Sequence, residues 1–458
     1  GDLGAHVWWP AYLRDHLLPW RLAGWTPDFY AGFPAGQFYF PIPALAIVGL
    51  DVVLPYNVAF KSIVALGPVL VPAGAYVFAR GIKAPNPVPA AFAVAATSFL
   101  FFTGAPGADE ASQAIAFNQR IMGGTFASTM AGEFSFTLAL AFALFFFGTL
   151  AIALRTRRHL WLPAALLALC VMSHLMVGVF AAMGALAVWA FHGPVRNFTR
   201  AAAIGVVGAC LSAVWLVPLV ATMKYTTDMR CGPIGVAAPA GQGYADYLFP
   251  DYFFSPQGWE PYRWGAYLLV AIAIGAAVLW SRKSTLIVLV LTVAAAIAFR
   301  YWTDLGTHVW NLRLLSFWYI GVHLMMAIGV AELVRAGGWL AGRGWRRVET
   351  ARAARARHAA GADDTLDELA PVADPPDASG PEPAAAREPE PAAAPAPEPK
   401  GVLATWWQPA RPAAAPSVGE RGAALVTTLA LTVLLVIGAL VNVDDSKAFL
   451  PYWAKWNF

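Results

Sequence analysis

The stretch LPAALLALCVMSHLMVGVFAAMGALAVWAF, residues 162–191, decides the architecture. It reads either as one long apolar helix or as two short ones meeting at Ser173-His174. A helix crosses the hydrocarbon of a bilayer with about 20 apolar residues, and shorter runs cross where bilayer or protein is thin. The flanking loops choose between the readings. "RGIK" (80–83), "RTRRH" (155–159), "VRNFTR" (195–200) and "SRK" (281–283) carry nine Lys or Arg and no acid. Short loops of that kind stay cytoplasmic. They fall on one side only if the chain crosses twice between 160 and 191, so the split is required.

Working outward, ten crossings are predicted near 57–80, 86–103, 134–154, 160–173, 175–191, 201–223, 264–281, 284–300, 313–334 and 421–441. The alternate connections, 1–56, 104–133, 174, 224–263, 301–312 and 442–458, then face outward. They hold nearly all the Asp and Glu outside the long inner loop. Composition agrees. With 59% hydrophobic residues, 13% charged residues and a mean hydropathy of +0.56, a soluble domain of 458 residues could not hide its apolar surface. The predicted fold is an all-α, polytopic transmembrane helical bundle. Cys170 and Cys210 fall inside apolar spans and Cys231 stands alone, so neither a disulfide framework nor a zinc site is indicated.

Three parts follow: a transmembrane domain over 1–335, an inner linker over 336–420, and a last helix with the start of an outer segment over 421–458. The linker begins basic ("RGWRRVETARAARARH") and becomes Pro/Ala/Glu-rich ("PEPAAAREPEPAAAPAPEPK"). Such composition buries too little apolar surface to offset ordering entropy, so most of it is expected to be disordered.

The first outer loop opens on "GDLGAH" with no initiator Met, and Asp2 is expected to follow a span that precedes it. Residues 7–40 mix Trp, Tyr and Phe with isolated charges. That pattern suits short helices in the interface plane, broken at "GW" and "GFPAG".

"GDLGAH", "GGTFASTMAGEFSF" (123–136) and "NLRLLSFWY" (311–319) resemble a bacterial group of membrane proteins related by label to 6-pyruvoyl-tetrahydropterin synthase. The first outer loop, with an acid where a preceding span would end, also resembles the GT-C glycosyltransferases. The GT-C resemblance implies a sugar taken from a polyprenyl-phosphate donor and passed to a cell-envelope glycan or glycolipid at the outer face of a bacterial plasma membrane. It further implies that the acid after the first span, here Asp2, is the catalytic base.

Glycosyl transfer needs a carboxylate for the acceptor proton and a cation for the leaving phosphate. Asp2 serves equally well as an N-cap for the helix after it. His6, four residues on, shares a helical face with Asp2 and could orient a donor phosphate or a metal; as a lone histidine it also reads as packing. Glu133 enters a span from outside, where a charge suggests function but also complements the helix dipole. Arg313 opens its span at the outer end and suits bidentate phosphate binding, against simple snorkelling. Asn311 and His308 beside it favour phosphate. His174, where two crossings meet, is a further donor-phosphate candidate, and His323 reads as a mid-span packing group. In the loop 224–263, Tyr244, Asp246, Asp251 and Glu260 suit a sugar acceptor, while an aromatic belt explains the same residues. Asp109 and Glu110 read as solvated charges.

No P-loop, dinucleotide fingerprint, HExxH or hydrolase elbow stands in a suitable context. A divalent cation, Mg or Mn, is a possible cofactor, and no nucleic acid is expected as a partner. Twenty-four Arg against seven Lys suggest a GC-rich genome such as an actinobacterium's, for which a decaprenyl-phosphate arabinose or mannose is the expected donor. A transporter or flippase of lipid-linked sugars, or a silent scaffold, are the competing readings. Ionisable groups at the outer ends and the absence of an internal repeat weigh against transport.

Overall fold

In the computed structural model the described residues are 3–28, 31–102, 121–226, 244–249, 260–302 and 310–363. They are almost wholly helical. Residues up to Val334 form one compact unit, and Arg335 begins a second.

The centre of the first unit is a seam between α3 (Tyr56–Gly81) and α5 (Phe134–Thr156), with α4 (Val88–Leu100) beside α3. Gly67, Gly74 and Gly81 recur every seventh residue on α3. They meet Leu138, Ala141 and Gly148 in ascending order, so the two helices run parallel. A side chain added at Gly81 or Gly148 would strike the facing backbone. Lipid tails are as apolar as leucine, so helices in a bilayer associate through such close backbone approach. Phe78 extends the seam, with its ring 5.6 Å from Phe147 on α5 and 6.1 Å from Phe92 on α4.

The stretch that decided the architecture folds as two helices, α6 (Trp161–Ser173) and α7 (Leu175–Ala190), turning at His174, whose backbone is extended at φ −164°. Gly178 lies directly against Val171 across the turn, which makes the pair a hairpin and not a kinked rod. At about 1.5 Å per residue its arms are roughly 20 and 24 Å long. Both lie along α5: Cys170 Sγ reaches Ala139 O at 3.5 Å, and Gly184 faces Phe147. Helix α8 (Pro194–Thr222) covers the hairpin and shows Val206, Leu211, Val214 and Val217 outward, the apolar exposure of a lipid-facing surface. Helices α10 (Glu260–Leu279), α11 (Lys283–Tyr301) and α12 (Leu315–Asp363) close the bundle. Gly321 of α12 sits on Thr292 of α11, and Gly329 sits on the backbone of Leu269 in α10.

Among the described residues, five helices are long and apolar enough to span a bilayer: those within 56–81, 126–156, 194–225, 283–301 and 311–344. Four further expected crossings are shorter apolar helices, and the one at 421–441 lies outside the described residues. The basic loops share one face. Half-buried His192, in the turn before α8, feels Arg155, Lys283 and Lys83 from three other loops. Arg155 Nη1 also donates to Gly81 O at 2.6 Å, locking α5 to the end of α3.

Two expectations need correction. The first outer loop holds helices α1 (Leu3–Tyr12) and α2 (Pro41–Asp51), but its "GW" and "GFPAG" segments form an antiparallel hairpin of β1 (Gly24–Thr26) and β2 (Phe33–Ala35). Alternation over three residues is too short to register as a strand. Helix α12 also continues to Asp363, so the start of the stretch expected to be disordered is helical. Its Ala and Arg are strong helix formers, and the Pro-rich composition that argues against order begins only later.

Gly148→Val should overpack the α3–α5 seam and cost about 1–3 kcal/mol, read as a lower melting temperature in detergent. Burial first, and then the neighbouring cations, hold the His192 imidazole below its ordinary range. The unfolded chain therefore binds a proton that the native one refuses. Stability from this group is complete above about pH 6.5 and declines as pH falls below it. Melting curves of the native protein and His192→Gln from pH 7.5 to 5 should show a shallower decline in the variant.

Candidate functional site

The chain after Ile121 is shaped by its hydroxyls and glycines. Thr125 caps the short turn Phe126–Ser128 through Ser128 N at 3.1 Å, and Ser128 Oγ accepts from Gly123 N at 3.0 Å. A π-turn, Thr129–Glu133, follows, with Gly132 at φ 126°, which side-chain-bearing residues rarely adopt. That turn delivers Glu133 to the N-terminus of α5. The carboxylate does not cap its own helix.

It is held by Arg313. The guanidinium Nη2 donates to Glu133 Oε1, Nη1 donates to Ile121 O at 2.5 Å, and the cation lies 5.3 Å from the Trp310 ring centre. Arg313 itself is fixed by a single 3-10 turn, Asn311–Leu314, ahead of α12. Asn311 Nδ2 donates to Phe299 O at 3.1 Å, and Ser316 Oγ lies 2.9 Å from Gly123 O. Two segments nearly two hundred residues apart are thus bolted together around one ion pair.

His174 completes the group. Its Nε2 lies 3.9 Å from Glu133 Oε2, an ion-pair distance only when the imidazole is protonated, and too long for a hydrogen bond. Phe40 and Phe136 enclose the ring at 4.4 and 4.8 Å. His174 Nδ1 and the neighbouring Ser173 Oγ are buried with no hydrogen-bond partner among the described residues. Phe40 comes from the first outer loop, which is pinned over this end of the bundle. Trp215 Nε1 of α8 donates to Gly36 O at 3.3 Å, and Gln37 Nε2 donates to Thr222 Oγ1 at 3.0 Å. His6 Nε2 contacts Tyr39 OH at 3.1 Å, and its ring stands edge-on to Phe134 at 5.6 Å.

Of the residues singled out in the sequence, the structure brings together Glu133, His174 and Arg313, with His6 linked to the His174 ring through Tyr39 and Phe40. All lie at the ends of the helices opposite the basic face. Tyr244 packs its ring on Phe299 at 5.4 Å and under Arg300 at 4.6 Å, at the end of α11 where Phe299 O accepts from Asn311. Asp2, His308 and Asp251 lie outside the described residues. Asp246 and Glu260 fall in α9 (Tyr244–Leu248) and at the start of α10, with their side chains outside what is described. His323 behaves as a packing group, with Nδ1 donating to Tyr319 O at 2.7 Å. Sequence reading missed Tyr39, Phe40, Phe136 and Trp310. The run "FYF" at 38–40 was visible, but an interfacial belt accounts for it equally well. Among the described residues, no three His, Cys, Asp or Glu side chains assemble as a metal site.

Arg313→Met should remove the Arg313 cation from the Glu133 carboxylate beside His174. A fully buried pair loses about 3–5 kcal/mol on such a change; with 22% of the Glu133 side chain exposed the loss should be roughly 1–3 kcal/mol. Glu133→Leu combined with Arg313→Met should cost less than the two single changes summed, measured as a double-mutant cycle by thermal or denaturant unfolding.

A family model described as the 6-pyruvoyl-tetrahydropterin synthase related domain, a membrane protein, matches residues 36–348. The search of curated proteins and that of solved structures gave no match. The matched region covers well over half of the chain and takes in Glu133, His174 and Arg313. The chain therefore belongs to the 6-pyruvoyl-tetrahydropterin synthase related family of membrane proteins.

Proposed function

We propose that this protein is a membrane glycosyltransferase of the GT-C kind. It would take a sugar from a polyprenyl-phosphate donor and pass it to a cell-envelope glycan or glycolipid at the outer face of a bacterial plasma membrane. The observation that carries this reading is the meeting of Glu133, Arg313 and His174 at the bundle end opposite the basic loops. Short basic loops stay cytoplasmic, so the group would face outward, where a lipid-linked donor presents its head.

In this reading the acceptor hydroxyl oxygen attacks the anomeric carbon of the sugar. The bond from that carbon to the donor phosphate oxygen breaks, and its electron pair leaves with the polyprenyl phosphate. Arg313 spreads the charge that develops on the phosphate, through donors that now serve Ile121 O and Glu133. As Arg313 turns to phosphate, Glu133 is released to accept the proton of the hydroxyl. Asp2 is the alternative base that the GT-C resemblance implies. His174, His6 and His308 would add hydrogen bonds to the phosphate, and Tyr244, Asp246, Asp251 and Glu260 would receive the acceptor.

A second reading, transport of a lipid-linked sugar, draws on one observation: the helical hairpin broken at His174, with buried polar atoms at the break. Transporters place such breaks at their binding sites. Full-length protein in vesicles, supplied with polyprenyl-phosphate sugars and a glycolipid acceptor, distinguishes the two. Transfer should be measurable and should fall about 100-fold or more in Glu133→Gln and in Arg313→Ala, with Asp2→Asn tested beside them to assign the base. Transbilayer movement of the donor without transfer would replace the enzyme reading with the transporter. Undiminished transfer in both Glu133→Gln and Arg313→Ala would remove the site assignment.

A further inference from the structure

At the opposite end of the bundle, the turn between α7 and α8 joins an apolar cavity to a concentration of positive charge. We propose that this turn and the cavity beside it bind an anionic phospholipid, with one acyl chain in the cavity and the headgroup on Arg196 and Arg200.

The cavity measures about 240 Å³ and is floored by Phe146 and Leu150 of α5. Leu186 and Trp189 of α7 form one wall, and Phe198 and Ala201 of α8 the other. Leu186 and Phe198 are both more than half exposed, so the cavity opens on the outside of the bundle, where its solvent is lipid. Its basic end is rigid. Trp189 Nε1 donates to Pro194 O at 2.9 Å, Asn197 Nδ2 donates to His192 O at 2.5 Å, and Gly193 takes a left-handed φ of 77° to make the turn. These contacts hold the Trp189 and Phe198 rings 6.1 Å apart, an aromatic pair of the kind that sits where acyl chain gives way to headgroup.

The charge lies one step further. Arg200 Nη1 donates to Arg196 O at 3.4 Å and to the Asn197 carboxamide, which sets the two arginines one turn apart at the start of α8. Nothing of opposite sign is near in sequence: no Asp or Glu occurs between Glu133 and Asp228. Arg155, Lys83 and Lys283 add to the same field at His192. A soluble anion would need the charge but not the cavity. A neutral lipid would need the cavity but not the charge. Along the first turns of α8, Arg196 and Arg200 interleave with the cavity residues Phe198 and Ala201, and the two features together call for a ligand with both an apolar chain and an anionic head, as basic pockets between membrane helices provide for acidic lipids.

The test uses the full chain, delipidated in detergent and titrated with phosphatidylglycerol or phosphatidylcholine, with bound lipid read by native mass spectrometry. Phosphatidylglycerol should be retained about 10- to 30-fold better than phosphatidylcholine. Arg196→Gln with Arg200→Gln should abolish that preference, and Ala201→Trp should weaken retention of both lipids. Both arginines lie at a helix start and Arg196 is exposed, so the double variant remains a fair test if the cavity-filling one fails to fold. Equal retention of the two lipids by the native chain overturns the proposal, as does a preference that survives loss of both arginines. Full competition by inorganic phosphate would do the same, since it would mark a site for a soluble anion.

Discussion

A charge surrounded by hydrocarbon must find an opposite charge or reach water, and the placement of ionisable groups in this bundle follows from that cost. Nine Lys and Arg in four short loops gather on one face, where Arg155 also ties α5 to α3. At the other end Glu133 and Arg313 satisfy each other, and in doing so join the segment after Ile121 to the segment before α12. Asn311 and Ser316 add bonds to the same junction. Removing the ion pair would therefore loosen a joint as well as unmask a charge.

The junction has the character expected of a site held ready for a ligand. Glu133 leaves its own helix uncapped, Gly132 holds a backbone conformation that few residues accept, and His174 and Ser173 keep buried atoms without hydrogen-bond partners among the described residues. Each of these costs stability, and native proteins retain few such groups without a use for them. The aromatic enclosure by Phe40 and Phe136 lowers the local dielectric, which strengthens interactions among the polar groups it surrounds.

Much of the bundle was legible because the signal was physical and long-range. The runs that became α3, α5 and α11 are apolar over a membrane's thickness, and the split at Ser173-His174 came from loop charge, not from the stretch itself. Glu133, His174 and Arg313 were legible by position, as polar groups at the ends of apolar spans. What surrounds them was not. Phe40 and Phe136 look like any other aromatic in so aromatic a chain, and the hairpin at 24–35 has too few residues for its period to show. The helix beyond Val334 was hidden by averaging an Ala/Arg-rich start with a Pro-rich continuation.

The hairpin at His174 carries a further consequence. Its arms are about 20 and 24 Å long, against a hydrocarbon layer of about 30 Å. A tip that falls short by several ångströms obliges either the bilayer to thin or other protein to descend and meet it. Here Phe40 descends, carried by a loop clamped to Trp215 and Thr222. The thickness of the host membrane thereby becomes a variable that sets how deep the His174 tip lies.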